Sequence, residues 1–174
     1  ADMQRELAAE ALKAGVSVGT VTADIAENAS EVAVYFGGNT KELKKAAIQA
    51  AKLGVSLKTM ADVSEGLLNF EESIAAQFEF QALSGRQINL DLARQLALEG
   101  DIAGATAEVL SQVGDIHDFN QMDVLERQAL AKATGMSVNE LQKSLTIQDK
   151  LAGATDEQRA AAAAGNANGA SSSN

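Results

Sequence analysis

Proline, cysteine and tryptophan are absent from all 174 residues, and aromatic side chains make up only 3%. Without proline, no pyrrolidine ring breaks a helix from inside or removes a backbone donor. Without cysteine, a disulfide framework, a thiolate nucleophile and a thiolate-ligated zinc site are excluded. A single histidine leaves one conventional imidazole base. Basic residues are also scarce, 14 Lys and Arg against 24 Asp and Glu, for a net charge of −10. That balance argues against nucleic-acid phosphate, anionic lipid surfaces and acidic substrates as main partners, because each is held by local Lys and Arg. No run of about 18 apolar residues is present, so stable membrane insertion is not expected of this chain.

What the chain has is alanine, 34 residues of it. Alanine has the best intrinsic helix propensity and lets helices approach through small contacts. An all-α fold without a sheet follows, built as an array of helical hairpins around one long central helix.

A seven-residue phrase recurs three times: G-V-S-V-G-T-V from Gly15, G-V-S-L-K-T-M from Gly54 and G-M-S-V-N-E-L from Gly135. In each copy an alanine stands four residues before the glycine. The glycine is placed to end a helix in the left-handed conformation, and Val16, Val55 or Met136 can pack back on the helix just finished. Ser17, Ser56 or Ser137 then caps the next helix, and the apolar residue four later (Val21, Met60 or Leu141) completes a hydrophobic staple. Ser137 with Glu140 has the form of a capping box. The copies lie 39 and 81 residues apart, too irregular for a solenoid of fixed period.

These signals place helices near 2–14, 17–36, 40–53, 56–83, 90–99, 102–113, 122–134, 137–150 and 155–164, with Gly85, Gly100 and Gly114 as further stops and Asp101 as a cap. Thr155 and Gln158 suggest another capping box. Val18, Val21, Ile25, Val32 and Phe36 share one face of the second helix. The organisation expected is N-terminal hairpins over 1–53, a long helix with further hairpins over 54–150, and a short Ala-rich helix with a flexible tail over 151–174. With Ala as its first residue, the chain is expected to be a processed or excised piece of a longer product. Charge is segregated: 14–40 and 61–83 hold no Lys or Arg, whereas 41–58 holds five Lys and one Glu. Such a basic helix can pair with acidic neighbours or another subunit, or simply present a solvated face.

The stretch from Lys13 to Ile25 has the outline of a helix-turn-helix DNA reader. Its second helix, however, carries Thr20, Thr22, Asp24, Glu27 and Asn28 and no basic residue before Lys41. Two carboxylates would face a polyanion, so a corner between helices is the better reading. Asp115, His117 and Asp118 put three potential metal ligands within four residues, but a built site draws on distant elements, and a polar inter-helix loop is expected. Glu71, Glu72 and Glu79 lack the Glu-x-x-His pattern of a di-iron bundle. No Gly-x-Ser-x-Gly elbow, P-loop or dinucleotide fingerprint is present. The expectation is a protein without catalytic residues, cofactor or metal.

Residues 60–80 carry the densest apolar pattern. Met60, Val63, Leu67, Phe70 and Ile74 step by 3, 4, 3 and 4, and Phe78 continues the stripe. A stripe of this kind is either core against a neighbouring helix or a seam for self-association. Phe80 lies off it.

Residues 46–150 resemble sequences of tail tape-measure proteins of tailed bacteriophages. The resemblance is carried by A-A-K-L-G-V-S-L-K-T-M-A-D-V-S-E-G-L-L-N-F-E-E-S-I-A-A at 50–76, G-R-Q-I-N-L-D-L-A-R at 85–94 and E-R-Q-A-L-A-K-A-T-G-M-S-V-N-E-L at 126–141. It implies a structural virion component, bundled in the tail tube or hub, concerned with tail assembly and tube length, self-associating three- or sixfold or docking on tube and hub proteins. One unbroken helix of this length would span only about 260 Å, so the chain would be a region of such a ruler. The membrane-competent stretch of some relatives is missing. A soluble helical adaptor acting by protein contacts is the alternative.

Overall fold

A computed structural model describes the backbone of residues 2–153 and the side chains from Arg5 onward. Among the described residues every regular element is a helix: α1 (Asp2–Ala14), α2 (Val18–Phe36), α3 (Thr40–Leu53), α4 (Leu57–Leu68), α5 (Phe70–Ser84), α6 (Asp91–Leu98), α7 (Ile102–Val113), α8 (Ile116–Asn120), α9 (Val124–Thr134) and α10 (Val138–Gly153). The fold is all-α, with no strand among these residues. The helix expected at 155–164 and the tail after it lie outside the described residues.

The three recurrent phrases are corners. Gly15, Gly54 and Gly135 have φ of 78°, 72° and 81°. At the first two, the following valine N–H returns to the alanine four before the glycine, Val16 to Ala11 at 3.0 Å and Val55 to Ala50 at 2.9 Å. The glycine N–H bonds the next carbonyl, which makes the double-bonded Schellman ending. Gly135 N–H bonds Ala131 O directly at 3.0 Å. Ser17 caps α2 by accepting from Thr20 N–H, and Ser137 and Glu140 form the expected reciprocal box.

At the second corner an aspartate from elsewhere reaches the helix start. Both Asp24 oxygens accept from Leu57 N–H, at 3.0 and 3.1 Å, and Oδ1 also accepts from Asn28 Nδ2 at 2.7 Å. Asp24 thus holds the start of α4 rather than facing solvent. Half-burial pushes its carboxyl above the ordinary range, against the lowering effect of those hydrogen bonds, with nearby Glu27 adding to the rise. The folded protein therefore keeps this proton to a higher pH than the unfolded chain. The associated stability is complete below the unfolded carboxylate value of about 3.9 and fades as pH rises through the folded one. Accordingly, urea denaturation should show wild type losing stability relative to Asp24→Asn as pH rises above about 4. Asp24→Ala should cost about 1–2 kcal/mol by stranding the Leu57 donor.

The described residues divide into two units, 2–57 with 147–153 and 58–146. In the first, α1, α2 and α3 pack pairwise. Leu7, Ala11, Val16, Val21, Val32, Ala46, Ala47 and Ala50 are buried there. Alanine dominates the α3 side of that contact, where small side chains let helix axes approach. Lys44 is also buried, its Nζ 3.8 Å from Glu6 Oε1.

In the second unit the main pairings are α5 with α9 and α6 with α7. Phe80, Phe119, Met60, Leu67, Leu90, Ile102, Leu130, Met136 and Leu141 are fully buried. The expected long central helix over 56–83 is instead two helices divided at Asn69. This residue has φ −80° and ψ 74°, outside the helical range, and its N–H is shared between the Glu65 and Gly66 carbonyls at 3.3 and 3.2 Å. Asparagine is among the weaker helix formers because its side chain competes for backbone groups. Immediately before the break, α4 lies hard against the α9–α10 corner: a Cβ on Gly66 would stand 2.7 Å from Gly135 Cα.

Candidate functional site

The break at Asn69 changes which face of the following helix is inside. A continuous helix would carry the stripe of Met60, Val63 and Leu67 onward to 70, 74 and 78. In the structure Met60, Val63 and Leu67 are fully buried, but the buried positions of α5 are Ser73, Ala76, Gln77 and Phe80. The inward register has slipped back by one residue. Phe70, Ile74 and Phe78 are consequently on the outside, 42%, 37% and 62% exposed.

Polar Ser73 and Gln77 can occupy the inner face because buried groups answer them. Arg94, itself only 6% exposed, donates through Nη2 to Ser73 Oγ at 3.0 Å and Gln77 Oε1 at 2.8 Å. Ser73 Oγ donates to Ala133 O at 2.7 Å, and Gln77 Nε2 to Ile88 O at 2.9 Å. One guanidinium thereby joins α5 to α6, while its two partners tie α5 to α9 and to the 85–90 loop. Burial pulls the Arg94 pKa down, opposed by Asp91 nearby, whose carboxylate is 3.4 Å from Nη1. Charged hydrogen bonds of this sort are among the stronger ones. The sequence signal for this arrangement is weak, since Ser73 and Gln77 read as surface residues when α5 is taken as continuous with α4.

Phe70, Ile74 and Phe78 repeat at four-residue intervals and so form one ridge along α5, about 12 Å long at 1.5 Å per residue. Glu71, Glu79 and Glu72 follow it around the exposed side of the same helix. Ridges of four-residue spacing are those that seat in the grooves of another helix. Other exposed apolar side chains of this unit, such as Leu92, Leu98, Val124 and Leu125, do not recur at helical spacing, and scattered apolar surface is ordinary. The six stripe residues therefore have two fates: three in the core, three on the surface.

The stretch around the lone histidine is the short helix α8 rather than a loop. Asp115 accepts from Asp118 N–H at 2.9 Å and Asp118 from Asp115 N–H at 3.0 Å, so both carboxylates are engaged in a capping box. The Asp118 N–H in particular holds the Asp115 carboxyl below its ordinary range. His117 is exposed. Among the described residues, no group of three His, Asp or Glu side chains is arranged to hold a metal ion, and no helix is long and apolar enough to cross a membrane.

A shallow open groove of about 350 Å³ is lined by Gly66, Asn69, Glu72, Lys132, Gly135 and Ser137. It brings one carboxylate and one ammonium together without a nucleophile and base in the arrangement acyl or phosphoryl chemistry needs.

No known protein family, no curated protein and no solved structure matches the chain.

Proposed function

We propose that the chain is a structural component of a phage tail, a tape-measure-like helical protein of the tail tube or hub that takes part in tail assembly and length determination. Its work is done by helix-to-helix contact, with copies of itself or with tube and hub proteins, in the assembled virion. The observation that carries this reading is the ridge of Phe70, Ile74 and Phe78, a helix-seating surface held outward by the register of α5. The sequence resemblance over 46–150 supplies the class of assembly. A net charge of −10 suits a component that shares a tube with passing DNA without holding it.

Light scattering on the chain, alone and mixed with phage tail-tube and hub proteins, tests the proposal. A threefold or sixfold particle, or a defined complex with one of those proteins, is the expected result. Phe78→Asp should abolish it while circular dichroism stays unchanged, since Phe78 is the most exposed side chain of the ridge. A chain that remains monomeric in every mixture refutes the tail assignment and leaves the adaptor reading in its place.

A further inference from the structure

From the charge around the ridge we infer that α5 docks an amphipathic helix of a different protein, one whose apolar face is bordered by Lys or Arg. The inference deepens the function proposed above by giving the chemistry of the partner.

Residues 58–146 contain fourteen Asp and Glu against six Lys and Arg. Four of those six cations are engaged inside the unit. Arg94 is buried against Ser73 and Gln77. Arg86 donates to Val113 O at 2.9 Å, at the carbonyl end of α7, with its guanidinium 5.8 Å from the Phe80 ring centre. Arg127 lies 4.7 Å over the Phe119 ring and donates to Asn120 O at 3.3 Å. Lys58 pairs with Asp62 at 3.0 Å. Lys132 and Lys143 are the other two, both exposed.

Six of the carboxylates, those of Asp101, Asp115, Asp118, Asp123, Glu126 and Glu140, are bonded at helix starts. Glu72 shares its groove with Lys132, but Glu71 and Glu79 stand exposed on the ridge's own helix, and residues 61–83 contain no basic residue at all. A second copy presenting its own α5 would set carboxylates against carboxylates, which electrostatic complementarity disfavours, and its Lys-rich α3 has its apolar face, Ala46, Ala47 and Ala50, already buried against α1 and α2. A helix edged with Lys or Arg covers the three apolar side chains and meets the carboxylates at the same time.

The test is a titration of the whole chain with an idealised Leu/Lys amphipathic helical peptide, read by fluorescence anisotropy. A Leu/Glu peptide and a scrambled Leu/Lys peptide of equal composition serve as controls. The Leu/Lys helix should bind, more weakly as salt rises, and the two controls should not. Phe78→Ser should weaken binding roughly ten- to a hundredfold, the effect of losing one well-buried aromatic contact. Should that variant melt early, Glu71→Gln with Glu79→Gln provides the second readout and should flatten the salt dependence.

Equal binding of the scrambled peptide, or no effect of either variant, overturns the inference. So does self-association of the chain that Phe78→Ser dissolves, which would assign the ridge to a second copy. Complex formation with tail proteins without capture of the Leu/Lys peptide sinks this inference alone. Capture of the peptide by a chain that joins no tail protein sinks the tail assignment alone.

Discussion

Phe80→Ala should destabilise the protein by about 3–5 kcal/mol, whereas Phe78→Ala, two residues earlier, should change stability by about 0.5 kcal/mol or less. Phe80 is fully buried, with the Arg86 guanidinium near its ring, and Phe78 is 62% exposed. Removing the first leaves a cavity among side chains packed to crystal-like density; removing the second uncovers little. Urea denaturation with an unchanged m-value is the appropriate measurement. The stripe pattern in the sequence ranks the two the other way round, because it puts Phe78 in line with Leu67 and Phe80 off it. Equal costs, or a larger cost at Phe78, would show that α5 keeps the register of α4 and that the surface ridge does not exist.

Gly135→Ala should cost about 2–5 kcal/mol, combining the left-handed backbone penalty of about 1–2 with about 1–3 for overpacking. Gly135 has φ 81°, and a Cβ there would stand 3.1 Å from Asp62 O and Val63 Cα, main-chain atoms of α4 that have little freedom to retreat. Gly85 separates the two contributions: its φ is 75°, but an added Cβ meets nothing within 4 Å. Gly85→Ala should therefore show the backbone penalty alone, about 1–2 kcal/mol. Thermal melts of both variants and wild type compare them directly. A Gly135→Ala cost no greater than that of Gly85→Ala would mean that α4 does not press on this corner.

The corners were legible because the groups that make them are adjacent in the chain. Gly15 with Ser17, and Gly135 with Ser137 and Glu140, act over a few residues through local backbone bonds, so residue type and spacing carry the information. The end of α1 and the starts and ends of α2, α3 and α7 follow from the same local rules. His117 shows the converse case. Its surroundings read as a loop until both neighbouring aspartates are seen to cap a single turn.

Asp24 and Arg94 were not legible. Asp24 bonds Leu57, 33 residues away, and Arg94 bonds Ser73 and Gln77, 21 and 17 residues away. No local pattern distinguishes these side chains from solvated ones, since their partners are supplied by packing. The exposed ridge depends on the same long-range bonds. Ser73 and Gln77 face inward because Arg94 and two backbone groups satisfy them there, and the turn they impose on α5 is what sends Phe70, Ile74 and Phe78 outward.

Composition and short-range spacing by themselves determined that this chain is helical, where most of its helices stop and start, and that its surface is anionic, because propensity, capping and net charge are properties of near neighbours or of the whole count. Tertiary structure alone decided which side of α5 is buried. That choice turns on whether a polar side chain finds its hydrogen-bond partners inside, and those partners come from helices distant in sequence.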